Sequence, residues 1–218
     1  MIPRADAVAR AVRGGKSLLR AMANDAVAPW AADLKGTVLD LGSGQGGGST
    51  ALRRGAPASD WVRVDLDHRP DVRADLTRPL PFHDGAADAA VLMWFLYIAP
   101  DPGAVLAEIH RVLRPGGVLI LGTPLVFPVT PEPRDLWRFT GEGLEFLLGG
   151  AGFAESEVVP LGGRWSSAAY LLAPYQRPTR WVAPAVARLA LALDGMAERR
   201  WDGRLAPNPV GYVARAVA

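Results

Sequence analysis

The chain has 218 residues, half of them apolar, and a formal net charge of +2. That length suits one domain, or one domain with an insertion, and supplies enough apolar material for a substantial core. Cysteine is absent, which excludes disulfides, thiolate metal sites and cysteine nucleophiles, and the small charge lacks the one-sided basic clustering of a nucleic-acid footprint.

Residues 4–33 read as largely helical, rich in Ala and studded with Arg. No apolar run of leader length follows Arg4, Arg10 and Arg13. No stretch approaches the roughly 18 uninterrupted apolar residues of a membrane-spanning helix. A soluble cytoplasmic protein is therefore expected, with no nucleic-acid partner and no stable membrane insertion.

Thr37–Leu41 reads as a buried strand that runs into Gly42-Ser43-Gly44-Gln45-Gly46-Gly47. Glycine lets such a turn be tight and lets a ligand approach without Cβ clashes. Gly42-x-Gly44-x-x-Gly47 fits the dinucleotide fingerprint, in which a helix N-terminus holds a pyrophosphate. Asp40-x-Gly42-x-Gly44-x-Gly46 fits the first motif of S-adenosylmethionine (SAM) methyltransferases. With 24 glycines in the chain, a glycine pattern alone does not choose between them.

Strands and helices then alternate. Trp61–Leu66 reads as the second strand, Val72–Asp75 as a short third, Asp88–Trp94 as the fourth and Val118–Thr123 as the fifth. Short apolar runs separated by helical patterns predict a parallel sheet with helices on both faces. In the helix before the fifth strand, Asp101 suits the N-cap and Pro102 the first helical position. Val105, Leu106, Ile109, Val112 and Leu113 share one face, and Pro115-Gly116-Gly117 stops the helix. His110 on this helix reads as structural rather than catalytic. The three histidines (His68, His83, His110) are scattered, so no metal site is expected. Ligands of open α/β sheets bind at the carboxyl ends of strands, where Asp40, Asp65, Asp75, Met93 and Trp94 all fall.

From about Gly36 to Phe153 the chain resembles the type 11 class I SAM-dependent methyltransferases. The matching pieces, in order, are Val38-Leu39-Asp40-Leu41-Gly42-Ser43-Gly44, Val64-Asp65-Leu66-Asp67, Ala74-Asp75-Leu76 with Leu80-Pro81-Phe82, and Asp84 to Val91. Asp101-Pro102, Glu108 to Gly117, Asp135-Leu136-Trp137-Arg138-Phe139-Thr140 and Ala151-Gly152-Phe153 complete the series. The resemblance implies a Rossmann-like fold, with a mostly parallel seven-stranded sheet and an antiparallel last strand. It also implies SAM as cofactor and methyl transfer as the activity, to a small-molecule or glycan-like acceptor. A SAM-binding protein with lost or altered catalysis is the alternative.

By position, the resemblance assigns Gly42, Ser43, Gly44 and Gly46 to the loop under the methionine and ribose parts of SAM. Asp40 would lie near the ammonium, and Asp65 would accept the ribose hydroxyls. Leu66 would pack on adenine, Asp75 and Leu76 would meet its amino group and ring, and Met93 and Trp94 would line the methionine side. Where many relatives carry Leu-Glu-His after the fourth strand, this chain has Leu96-Tyr97-Ile98. Two histidines common before the Asp-x-x-Arg-Phe-Thr run are replaced by Pro131 and Arg134. Candidates for a general base are then Asp135, Glu132 and Tyr97. Arg138 could clamp an anionic group on the acceptor or brace the loop through Asp135.

Glu155–Val159 reads as the sixth strand and Val210–Val217 as the last. About fifty residues separate them, far more than a hairpin needs. The insertion, 161–208, holds Trp165, Tyr170, Tyr175, Trp181 and Trp201, and Val182–Met196 reads as a helix with Pro184 in its first turn. A lid over the cleft is expected first, a homodimer contact second and a membrane-surface contact third. The whole chain reads as one domain, with residues 1–35 as an N-terminal helical segment.

Overall fold

Strand β1 (Thr37–Leu41) is buried from Val38 onward, and the rest of the sheet is laid out from it. The computed structural model describes residues 4–44, 49–130, 134–172, 182–201 and 208–218. Seven strands form one sheet in the order β3-β2-β1-β4-β5-β7-β6. They are β2 (Asp60–Asp65), β3 (Val72–Arg73), β4 (Ala87–Met93), β5 (Leu113–Pro124), β6 (Glu155–Leu161) and β7 (Gly211–Val217). The pairs β1–β2, β1–β4, β2–β3 and β4–β5 are parallel. The last strand is antiparallel: Gly116 N donates to Ala218 O, and Ala218 N to Gly117 O, so the end of β7 meets the start of β5.

Helix α3 (Thr50–Gly55) links β1 to β2, and α4 (Pro102–Val112) links β4 to β5. The two crossovers run in opposite directions along the sheet, so right-handed connections put these helices on opposite faces. β4 lies between β1 and β5 and is apolar at nearly every position, as expected of a parallel strand covered on both faces. The α4 prediction holds: Asp101 accepts from Ala104 N at 3.0 Å as N-cap, and Val105, Leu106, Ile109 and Val112 are buried. Thr140 caps α5 (Gly141–Gly150) in the same way, through Gly143 N.

The boundary after α4 differs from the sequence expectation. The helix ends at Val112, and β5 begins at Leu113 rather than Val118. Leu113 pairs with Ala87 and Val118 with Ala89, so the Arg-Pro-Gly-Gly run forms a bulge inside the strand. Gly116 has φ +75°, and a Cβ on Gly117 would lie 2.8 Å from Arg114 O and 3.1 Å from Asp88 O. Gly116 is therefore required by its left-handed backbone and Gly117 by close backbone approach. Smaller shifts occur elsewhere. β2 and β4 each start and end one residue earlier than expected, β3 stops at Arg73, β6 reaches Leu161, and β7 begins at Gly211.

The chain folds as two compact units. One comprises 27–123, 130–158 and 213–218. Its α4 carries a latch: Arg111 donates to both oxygens of Glu108 (2.9 and 2.6 Å), to Phe82 O and to Asp84, while Leu80 N donates to Glu108 Oε1 at 2.6 Å. This fixes the 80–85 loop, and the Arg111 guanidinium holds the Glu108 carboxyl below its usual range. His110 sits edge-on to Phe153 at 5.1 Å, the structural role expected of it.

The other unit comprises 1–26, 124–129 and 159–212. It contains α1 (Ala5–Arg13), most of α2 (Leu18–Val27), α6 (Arg164–Leu172) and α7 (Ala183–Trp201). The expected 182–196 helix is thus present, with Pro184 in its first turn. Asp194 on α7 is buried and satisfies the start of α6, accepting from Gly163 N, Trp165 N, Ser166 N and Ser166 Oγ at 2.5–3.0 Å. Asp6 of α1 pairs with Arg188 of α7 at 2.8 Å. The N-terminal helices therefore pack with the insertion, which the sequence pattern did not indicate. Tyr175 and Trp181 lie outside the described residues. No helix among the described residues is long and apolar enough to cross a membrane.

Candidate functional site

The chain turns at the carboxyl end of β1 with Gly42 at φ +63° and Gly44 at φ +53°. Gly42 N donates to Val64 O at 2.8 Å, and a Cβ there would meet Leu76 and Phe95 at 3.4–3.5 Å. A Cβ on Gly44 would meet nothing within 4 Å. Gly44 is therefore glycine for its left-handed backbone, with open space where a side chain would stand. Ser43 is buried between the two glycines, and Gly46 lies outside the described residues.

Asp40 is buried, 3% exposed, so its carboxylate needs partners. One oxygen accepts from Ser49 Oγ at 2.5 Å and from Arg53 Nη2 and Nε at 2.7 and 3.2 Å. The Arg53 guanidinium lies 4.6 Å from the Trp61 ring centroid. Sequence reasoning missed Ser49 and Arg53. The available signal was their placement in the turn and helix that follow the glycine loop, four residues apart.

At the end of β2, Asp65 Oδ2 accepts from Gly44 N at 2.7 Å and Oδ1 from Asp67 N at 3.0 Å. The two amides aim the carboxylate and tie the β2 turn to the glycine loop, while an ionised carboxylate keeps lone pairs for further donors. His68 Nδ1 stands 3.8 Å from Asp65, and His68 and Arg69 both have positive φ (66° and 53°). Leu66 is half exposed, and its carbonyl accepts from Arg73 Nε. Asp75 Oδ1 accepts from Thr77 N and Oγ1 at 2.9 and 2.7 Å, and these bonds hold its carboxyl below the usual range. Leu76 is buried next to Gly42.

Met93 ends β4, buried against Gly122, where a Cβ would lie 2.6 Å from Met93 Cε. Trp94 follows with φ +66°, a backbone conformation costly for a bulky residue, and its N–H donates to Gly122 O at 2.9 Å. Such outliers concentrate where structure serves a ligand. Tyr97 O accepts from Leu136 N and Trp137 N at 3.1 and 3.0 Å, which joins the first departure to the Asp135–Thr140 run. Arg138 stacks 5.9 Å from the Tyr97 ring centroid and pairs with both oxygens of Asp135, which also accepts from Thr130 N at 3.0 Å. The Asp135 side chain is 5% exposed, and the Arg138 guanidinium holds its carboxyl below the usual range. Arg134 is exposed, whereas Pro131 and Glu132 lie outside the described residues. No metal-ligand cluster occurs among the described residues.

A glycine loop tied to the aspartate that ends β2, with a second aspartate after β3, decides between the two loop readings together with the family comparison, in which a model described as a methyltransferase domain matches residues 39–121. Residues 39–121 belong to the type 11 methyltransferase family. SAM is the cofactor of this family. The chain is 30% identical over 206 residues to a 37.1 kDa protein encoded in transposon TN4556 of Streptomyces fradiae. That match covers 79% of this chain and 58% of the relative, so the chain spans little more than half of its relative's length.

A SAM-dependent methyltransferase from Archaeoglobus fulgidus superposes with a TM-score of 0.60 at 15% identity, over 91% of this chain and 94% of that one. The [4+2]-cyclase SpnF superposes with a TM-score of 0.56 at 25% identity, over 94% and 84% of the two chains. The Rossmann-like fold, with its mostly parallel seven-stranded sheet and antiparallel last strand, agrees with the sequence expectation.

Proposed function

We propose that the protein transfers the methyl group of SAM to a small-molecule or glycan-like acceptor. The observation that carries this reading is Asp65, pinned by Gly44 N and Asp67 N with acceptor capacity to spare at the carboxyl edge of the sheet. Bound SAM supplies an electrophilic methyl on a sulfonium, and the acceptor atom's lone pair forms the new bond as the sulfur keeps the old pair. Within this reading Asp65 takes the ribose hydroxyls. Asp75 and Leu76 meet the adenine amino group and ring, with Leu66 packed on it. Gly42, Ser43, Gly44 and Gly46 pass under the rest of the cofactor, while Met93 and Trp94 line its methionine side.

Alignment of the acceptor supplies much of the rate in such a transfer. Asp135 is better suited to bracing than to taking a proton, because Arg138 holds both its oxygens and keeps it ionised. Tyr97 and Glu132 stay as candidate bases for a hydroxyl acceptor, and Arg138 as a candidate contact for an anionic one. Calorimetry with SAM and S-adenosylhomocysteine (SAH), on wild type and Asp65→Ala, tests the reading. Micromolar binding abolished by the substitution supports it, whereas a wild type that binds neither ligand removes it.

The second reading, cofactor binding with altered catalysis, is favoured by the pairing of Asp135 with Arg138 and by the 25% identity with a protein described as a cyclase. Methyl incorporation from labelled SAM across an acceptor library separates the two. For residues 161–208 a lid role is proposed, ahead of a homodimer or membrane-surface contact. Protection of this segment from proteolysis by SAH plus acceptor, but not by either alone, is the expected signature. A cytoplasmic location completes the proposal.

A further inference from the structure

We infer that Arg53 is a cofactor-positioning residue, which neutralises Asp40 and thereby sets how strongly the site attracts the α-ammonium of SAM. The inference rests on the cofactor reading above and concerns one of its parts. Asp40 lies two residues before the first loop glycine, and its carboxylate is buried. Its register neighbour on β2 is Arg63, but Arg63 is taken by Asp71 at 3.1 Å. The counter-charge on Asp40 is Arg53, at 2.7 Å from the same oxygen that takes the Ser49 hydroxyl.

Arg53 is itself held in place. Its N–H donates to Ser49 O at 3.0 Å within α3, and its guanidinium faces the Trp61 ring. The Trp61 indole is fixed in turn by a bond from Nε1 to Ala56 O at 3.1 Å. Residues from β1, α3 and β2 thus converge on one ion pair. A lone buried carboxylate would act on a ligand ammonium as a full charge. Two opposite charges this close act as a dipole, and their pull on a third charge is much weaker. Asp65 differs, since its described partners are two backbone amides and a neighbouring imidazole.

The experiment is calorimetry on the full chain with SAH and with the analogue carrying hydrogen in place of the α-amino group. The dissociation constant of the analogue divided by that of SAH isolates the contribution of the amino group. Arg53→Gln is expected to raise that ratio about tenfold, and Arg53→Lys to leave it within about twofold of wild type. A merely structural role would weaken both ligands together and leave the ratio unmoved, which overturns the inference, as does a Lys variant that behaves like the Gln variant. Should Arg53→Gln lack a cooperative melt, Asp40→Asn decides. Arg53 then faces the ammonium alone, and the ratio falls about tenfold; an unchanged ratio overturns the inference. A wild type that binds neither ligand overturns the cofactor reading and takes this inference with it, whereas a wild type that binds both, with a ratio that the variants leave unmoved, overturns the inference alone.

Discussion

The turns after β2 and β3 and the 130–138 segment both present aspartates, and they use them in opposite ways. Asp65 and Asp75 accept mainly from backbone amides and a threonine hydroxyl, which orient a carboxylate while leaving its charge in place. Asp135 is gripped by the Arg138 fork, as Glu108 is by Arg111 and Asp88 by Arg114. An amide-aimed acid is ready for a ligand's donors, whereas an arginine-paired acid has spent its charge on holding the frame. Within this molecule the partner, not the residue type, sorts the acids into those proposed to face a ligand and those that hold the frame, with the Arg53-paired Asp40 between the two.

The largest expected effect tests the ligand-facing class. Asp65→Ala should weaken SAH binding about a hundredfold, from two lost hydrogen bonds to a charged group, while the thermal midpoint moves little. Loss of stability without loss of affinity would place Asp65 among the frame acids. Next comes the frame class: Glu108→Ala leaves Arg111 and Leu80 N without their acceptor and should cost about 2 kcal/mol in urea unfolding, with the SAH dissociation constant unchanged. Asp135→Asn should cost about 1–2 kcal/mol and spare SAH affinity. If turnover vanished while stability held, Asp135 would be the base and the comparison would fail at that residue.

A pH titration of stability examines the frame acids together. Arg114, Arg111 and Arg138 hold Asp88, Glu108 and Asp135 below their ordinary carboxyl values. A lowered folded value means that the unfolded chain binds protons first, so the contribution is fully present above the ordinary range and is lost as pH falls through the folded values. Urea midpoints should be flat from pH 7 to about 5 and then fall steadily with acid. In the Glu108→Ala variant that fall should be shallower. The smallest effect is a control on simple capping: Asp101→Ala should cost about 1 kcal/mol with no change in ligand affinity.

The resemblance to the family was carried by a run that the structure explains as architecture. Glu108 and Arg111 latch the 80–85 loop, and the glycines of Arg-Pro-Gly-Gly fit a bulge that admits no Cβ at Gly117. The pieces that identify the fold are thus partly distinct from those that face a ligand. The carboxyl edge of the sheet was legible from sequence because a glycine loop and strand-end acids are local features with a fixed place in an α/β sheet. The 130–138 segment was less legible. Whether Asp135 is free or paired depends on Arg138, Thr130 and Tyr97 meeting in space, and three of the four lie in irregular chain.

By itself the sequence determined the element order, the α4 cap and apolar face, the carboxyl-edge acids and the family, because periodicity, capping and turn chemistry act over a few residues. The tertiary structure alone decided which acids pair with an arginine. It brought Arg53 to Asp40 from a helix one turn past the glycine loop, and it set Asp194 against the start of α6, 28 positions back at Ser166. It also packed the N-terminal helix α1 on α7, across 182 positions between Asp6 and Arg188. For Asp40 and Asp194 the physical reason is the same: burial demands a partner for every charge and every helix end, and only the folded chain determines which distant residue supplies it.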